Sequence, residues 1–253
     1  MGRRGRKDAK SPSPAPGEGR GGGKGKDPWL HPHPAPFGAT LSRGGRGLGP
    51  HRYSGPGFAG LRIGLLGGSF NPAHAGHRHI SLYALKALGL DRVWWLVSPQ
   101  NPLKSARDMA SLEERLAWAR AVARHPRITA TAIETELGTR YTADTIAELV
   151  RRFPRTRFVW LMGADNLRQI PRWKRWTRIF ESVPVAVFAR PTYSLGALGG
   201  VAAQRYARFR LAETRAKGLS VAAPPVWTFL RNPLHPASAT AIRRARAHGS
   251  GPQ

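Results

Sequence analysis

Two histidines three residues apart, His74 and His77, stand where a glycine turn gives way to a helix in Gly67-Gly68-Ser69-Phe70-Asn71-Pro72-Ala73-His74-Ala75-Gly76-His77. That combination suits a bound triphosphate. Glycines let backbone N–H groups approach phosphate oxygens, and a helix N-terminus adds unpaired donors with partial positive charge. The imidazoles add side-chain donors to the same oxygens. A zinc pair on the same histidines lacks a third ligand at sensible spacing, and with no cysteine in the chain thiolate metal sites, disulfides and cysteine nucleophiles are excluded.

Such a turn needs a strand before it and a helix after it. Arg62 to Leu66 is a short apolar segment ended by Gly67-Gly68, the pattern of a buried strand entering a turn. From Gly76 to Leu88 the residues Ile80, Leu82, Ala84, Leu85 and Leu88 recur at helical spacing, with Gly89 as the stop. Further strands are expected at Arg92 to Val97, Ile128 to Ile133, Phe158 to Met162, Pro184 to Ala189 and Val226 to Leu230. The helices expected between and after them run from the capping box at Ser111 to about Arg124, from Ala143 to Arg152, over a tryptophan-containing stretch near Arg172 to Glu181, and from Ala239 to His248. Residues 191 to 220 give no readable role. Alternating strands and helices imply an α/β fold, a doubly wound and mostly parallel sheet with helices on both faces. Ligands bind beyond the carboxyl ends of such strands. Ser69 to His77, Pro99 to Lys104, Thr139 to Thr142, Gly163 to Asn166 and Arg190 all follow expected strands and should converge on one cleft.

Composition sets the limits. Residues 1–60 are crowded with Gly, Pro, Arg and Lys and lack apolar periodicity, so they read as a disordered basic tail, with one domain over residues 61–248. The tail is either a basic interaction arm or lies ahead of a translation start near residue 60; the latter needs a non-AUG start, because the next methionine is Met109. The formal charge is +27, of which the tail carries +8 and the remainder +19. A basic surface of this size speeds encounter with polyanions such as ATP and also favours nonspecific RNA binding, while coding bias toward arginine explains it equally well. No apolar run approaches the roughly 20 residues that span a bilayer, and no secretory h-region follows the basic N-terminus. A soluble cytoplasmic protein is the default expectation, without a specific nucleic-acid partner and with an open oligomeric state.

The segment from Gly67 to His77 resembles the HxGH signature of the nucleotidylyltransferase superfamily, in the GGSFNPxHxGH form of nicotinate-nucleotide adenylyltransferases. The resemblance implies a Rossmann-like fold and adenylyl transfer, in which the 5′-phosphate of nicotinate mononucleotide attacks the α-phosphorus of ATP and pyrophosphate leaves. No triad-like Ser or Thr argues otherwise, and this chemistry asks for positioning and charge neutralisation more than for a protein nucleophile. His74 and His77 would hold phosphate oxygens, with Gly67, Gly68, Ser69 and Phe70 lining the ATP site. Ser238-Ala239-Thr240-Ala241-Ile242-Arg243 resembles the family's SxTxIR motif, although Ala237 stands where Ile is usual. By that match Ser238 or Thr240 caps the last helix toward the β- and γ-phosphates, and Arg243 adds a fork of donors. Lys104 occupies the place of the family's basic residue after the second strand, where a solvated loop lysine is the alternative.

Other segments of the resemblance concern the nucleotides. Thr139-Arg140-Tyr141-Thr142-Ala143-Asp144-Thr145 is similar to the family's SYTxDTL, with Arg140 in place of Ser, and implies that Tyr141 and Thr142 recognise the nicotinate carboxylate. Thr142 is equally readable as a helix N-cap. Asn71 joins the acceptor site by the same match. Gly163-Ala164-Asp165-Asn166-Leu167 matches GxDxL, implying that Gly163 and Asp165 meet sugar or base, and Arg190 would pack near adenine. Trp173 and Trp176 fit WxxW, with Trp173 stacking on the pyridine ring and Trp176 in the core, although at three apart both can belong to one packed helix face. Magnesium is expected on the ATP phosphates, without dedicated protein ligands. The competing readings are a superfamily member using phosphopantetheine or a cytidylyl donor, and an RNA-binding or assembly protein on the same fold.

Overall fold

The computed structural model describes residues 56–99, 109–191 and 194–248. Six longer strands and most of the helices follow the pattern in the sequence: β1 (Arg62–Gly68), α1 (Ala75–Ala87), β2 (Arg92–Val97), α2 (Leu112–Ala123), β3 (Ile128–Thr131), α3 (Ile133–Leu137), α4 (Thr142–Arg152), β4 (Arg157–Gly163), α5 (Ala164–Gln169), α6 (Trp176–Ser182), β5 (Val185–Phe188), α7 (Ser194–Leu198), α8 (Val201–Arg205), β6 (Arg210–Leu211), β7 (Trp227–Leu230) and α9 (Ala239–His248). The strands form one sheet in the order β3-β2-β1-β4-β5-β7-β6, and every recorded pairing is parallel.

A parallel sheet buried on both faces needs strands that are apolar throughout, because alternate side chains enter different cores. β2 shows this directly. Trp94 and Leu96 join a cluster with Ile146 and Leu149 of α4 and Ile179 and Phe180 of α6, while Val93, Trp95 and Val97 face Ile80, Ala84 and Leu85 of α1 and Ala119 and Ala123 of α2. The fold is therefore doubly wound, as the sequence pattern required. The chain runs from β1 outward to β3 and then returns to place β4 on the other side of β1. The turns after β1 and β4 thus meet at the point where the winding reverses, where open α/β sheets bind ligands.

Four local differences from the expected pattern have visible causes. The strand expected to Ile133 stops at Thr131; Ile133 begins α3, whose end is set by Gly138 in the left-handed region (φ 64°). The helix expected across both Trp173 and Trp176 is broken, with a 3-10 turn at Ile170–Arg172, an extended Trp173 and a left-handed Arg175 (φ 56°) before α6 starts at Trp176. Within 191–220, α7 and α8 pack near α5, and β6 adds an edge strand to β7. Chain packing already begins ahead of residue 61, with a 3-10 turn at Pro56–Phe58 and the Phe58 ring edge-on to Trp94 at 5.1 Å. The tail expected over residues 1–60 otherwise lies outside the described residues, as does Lys104 with most of its loop.

Candidate active site

The turn after β1 is shaped by its own histidines. His74 is the N-cap of α1: its Nδ1 accepts from the Gly76 amide at 3.2 Å, and the His74 amide donates to Nδ1 of His77 at 3.2 Å. The rings lie 3.9 Å apart, tilted by 38°. Since each Nδ1 is an acceptor, the proton of each neutral imidazole sits on Nε2, and both rings carry an Nε2–H donor. Burial pushes the pKa of His74 down to about 4, and the charges of Arg190 and His235 act in the same direction. His74 is therefore neutral at pH 7. At Gly76 a Cβ would lie 2.9 Å from His74 Nδ1 and 3.1 Å from the Ala237 carbonyl oxygen, so only glycine lets this cap form beneath the segment leading to α9.

Between strand and helix the backbone is held in an unusual shape. Phe70 has φ of 48°, left-handed for a bulky residue, and its buried ring stacks on Trp95 at 5.2 Å and 14°. The Gly67 position, expected from sequence to face nucleotide, is also filled from within: a Cβ there would fall 2.4 Å from the Trp160 ring.

The C-terminal motif meets this turn. Ser238, not Thr240, caps α9, its Oγ accepting from the Ala241 amide at 3.1 Å. Arg243 donates through Nη1 to the Asn71 carbonyl at 2.6 Å and through Nη2 to Thr240 Oγ1 at 3.4 Å. On the same side His79 of α1 places Nε2 2.8 Å from the Pro233 carbonyl, with its ring 5.5 Å from that of His235.

After β4, Asp165 and Arg190 form an ion pair, Nε to Oδ1 3.6 Å. A Cβ at Gly163 would come within 2.3 Å of that carboxylate and 2.8 Å of that guanidinium nitrogen, so the glycine makes the pair possible. A second corner gathers the residues expected to meet the accepting nucleotide. Tyr141 is the N-cap residue of α4 and Thr142 its first helical residue, so Thr142 is not the cap. Lys174 Nζ sits 4.6 Å over the Tyr141 ring, and Arg175 pairs with Asp144. These contacts bring Trp173 and Tyr141 into one neighbourhood. Trp176 packs edge-on against Phe180 and Tyr206, and Trp173 and Trp176 are both partly buried against the same core from different stretches of backbone.

Comparison with known proteins decides what kind of site this is. A family profile described as "Cytidylyltransferase-like" matches residues 65–245. A protein of Parvibaculum lavamentivorans named "Probable nicotinate-nucleotide adenylyltransferase" is 56% identical over 184 residues, covering 73% of this chain and 92% of the relative. One of the same name from Methylorubrum extorquens is 54% identical over 183 residues, covering 72% and 99%. The chain belongs to the nicotinate-nucleotide adenylyltransferase family. Its fold also resembles that of the Plasmodium falciparum nicotinic acid mononucleotide adenylyltransferase complexed with NaAD, with a TM-score of 0.53 at 14% identity, covering 72% of this chain and 82% of that one.

Two buried charged residues of this adenylyltransferase family member escaped the sequence reading. Arg115 of α2 is 1% exposed and reaches back to the turn after β1. Glu134 of α3 is 7% exposed; its Oε1 accepts from Thr145 Oγ1 at 3.3 Å, and Thr145 Oγ1 lies 2.9 Å from Thr139 Oγ1. Burial pushes the Glu134 pKa up to about 7 against the opposing hydrogen bonds from Ser98 and Thr145. The capping box at Ser111 announced a helix, but nothing set Arg115 apart from the rest of the chain's 41 lysines and arginines. Among the described residues no group of three or more His, Cys, Asp or Glu could hold a metal ion, and the donors gathered here are N–H groups suited to phosphate oxygens.

Proposed function

We propose that this protein transfers the adenylyl group of ATP to nicotinate mononucleotide, forming nicotinate adenine dinucleotide and pyrophosphate in NAD biosynthesis. The observation that carries the reading is the bond from Arg243 to the Asn71 carbonyl, which joins two motifs 172 residues apart into one phosphate-facing clamp. The catalytic domain is residues 61–248. The Plasmodium falciparum structures that share the fold were solved with NaAD and with APC.

In this reading ATP lies between the turn after β1 and the N-terminus of α9. The Nε2–H groups of His74 and His77 donate to phosphate oxygens as negative charge grows in the transition state. Both donors are preset by the cap, so no reorganisation is spent at the moment of reaction. Ser238, Thr240 and Arg243 hold the departing pyrophosphate, and Lys104 contributes positive charge to the phosphates. Ser69, Phe70, Gly67 and Gly68 shape the turn, while Asp165, Gly163 and Arg190 receive the adenosine part. The mononucleotide lies by Trp173, Tyr141, Thr142 and Asn71, with Trp173 stacked on the pyridine ring. Its phosphate oxygen attacks the α-phosphorus in line; the bond to the bridging oxygen breaks, and that oxygen leaves with pyrophosphate. ATP would bring a divalent cation, Mg2+ in our assignment, on its phosphates, where it would neutralise part of their charge.

Pyrophosphate release tests this with ATP and a panel of acceptors: nicotinate mononucleotide, nicotinamide mononucleotide and phosphopantetheine. Nicotinate mononucleotide is expected to give the highest kcat/KM, and His77→Ala to lower it by at least the roughly 100- to 1000-fold typical of one lost preorganised donor. Pyrophosphate only with phosphopantetheine, or full activity in the folded His77→Ala protein, would overturn the assignment.

A further inference from the structure

Arg115 sends its guanidinium into the protein rather than out to solvent. Nε donates to the Ala110 carbonyl at 2.9 Å, Nη1 to the Ser69 and Ser98 carbonyls at 2.8 and 2.6 Å, and Nη2 to the Pro99 carbonyl at 2.8 Å. The four carbonyls come from three separate segments: the turn after β1, the loop after β2 and the lead-in to α2. Among the described residues none of its hydrogen-bond partners is a carboxylate.

What it holds is the turn carrying His74. The Ser69 carbonyl belongs to the peptide directly before Phe70, whose left-handed backbone costs on the order of 1–2 kcal/mol. A peptide unit is planar, so fixing that carbonyl toward Arg115 aims the Phe70 N–H in the opposite direction. The far side of Phe70 is secured through Ala110. Its carbonyl accepts from Arg115, its amide lies 3.4 Å from Asn71 Oδ1, and the Asn71 carbonyl in turn accepts from Arg243. Arg115 thus grips the strained residue from both flanks and ties it to the loop after β2.

We propose that Arg115 is a positioning residue for the triphosphate site, holding the Ser69–Asn71 turn in the left-handed shape that presents its amides, and the histidine pair behind it, to phosphate. The inference rests on the adenylyl-transfer reading for its kinetics, but not for its effect on phosphate affinity. Arg115→Lys keeps the charge and loses the fork, since a single ammonium cannot span carbonyls from three segments. The experiment compares wild type and Arg115→Lys in pyrophosphate release, calorimetric binding of inorganic tripolyphosphate, and thermal melting. Expected is a folded variant whose kcat/KM for ATP falls about 10- to 100-fold, the scale of a small misplacement in a preorganised site. Its KM for nicotinate mononucleotide should rise by a smaller factor than kcat/KM for ATP falls, since Asn71 alone of the held turn meets that nucleotide, and its tripolyphosphate affinity should fall with kcat/KM. Wild-type tripolyphosphate affinity in the variant overturns the inference whether or not the enzyme turns over. Equal losses for both substrates, tracking a lowered melting temperature, overturn it as well. A wild type silent with ATP and nicotinate mononucleotide refutes the reaction instead, leaving the binding comparison to decide on Arg115. If Arg115→Lys does not fold, Arg115→Gln replaces it; failure of both makes Arg115 a folding residue and refutes a positioning role.

Discussion

Replacing Glu134 by Gln should change the pH dependence of stability in a way fixed by two buried groups of opposite sign. Burial raises the Glu134 pKa from 4.5 to about 7, so its contribution to stability is present below pH 4.5 and is lost as pH rises toward 7. At 1.36 kcal/mol per pKa unit this displacement amounts to roughly 3 kcal/mol. His74 runs the other way. Its pKa falls from 6.5 to about 4, so its contribution is present above pH 6.5 and is lost as pH drops toward 4, again by roughly 3 kcal/mol. Over the shared window the two nearly cancel. Glu134→Gln removes one of them, and stability should then climb with pH. Urea unfolding followed by tryptophan fluorescence at pH values from about 4.5 to about 7.5 reads this out. The difference between variant and wild type should change by about 3 kcal/mol across the range in favour of the variant at high pH. Any fixed cost of burying the glutamine amide shifts the curve without altering its slope. A difference that stays constant to within about 0.5 kcal/mol would refute the reasoning, since it would mean Glu134 ionises alike in folded and unfolded chains.

Two further substitutions test the nucleotide corners. Gly163→Ala places a methyl within 2.3 Å of the Asp165 carboxylate and must push it off Arg190. Titration with ATP should show weaker binding at about 1–3 kcal/mol of strain, while wild-type affinity would mean that the pair does not shape the site. Trp173→Ala should raise the KM for nicotinate mononucleotide well above any change in the KM for ATP, because the edge-on ring contacts to Phe180 and Tyr206 belong to Trp176 and stay in place. Steady-state kinetics with each substrate varied in turn decides this, and equal effects on both would remove the stacking role.

The parts of this protein legible in its sequence are those whose cause is local. The glycine turn, the helix start at the histidine pair and the Ser111 capping box are each settled by a few adjacent residues, and all three formed where the residue types required. The β2 run of Val93, Trp94, Trp95, Leu96 and Val97 likewise announced a strand buried on both faces. Where several distant elements decide the outcome, the sequence was silent. Arg115 is one basic residue among many until Ser69, Ser98 and Pro99 surround it, and Glu134 lies just past an expected strand until α3 turns it under Thr145. The helix expected near Arg172 to Glu181 failed for a related reason: its tryptophan spacing suits a helix, but an extended Trp173 and a left-handed Arg175 delay the helix to Trp176.

The bond between Arg243 and the Asn71 carbonyl also bears on how the protein is made. Asn71, in the turn after β1, is synthesised 172 residues before the arginine bonded to its carbonyl. During translation, and in any fragment cut short before α9, the first half of the clamp exists without the second. On the proposed reaction, turnover of ATP then waits for the synthesis of α9, after the last strand of the sheet is already made.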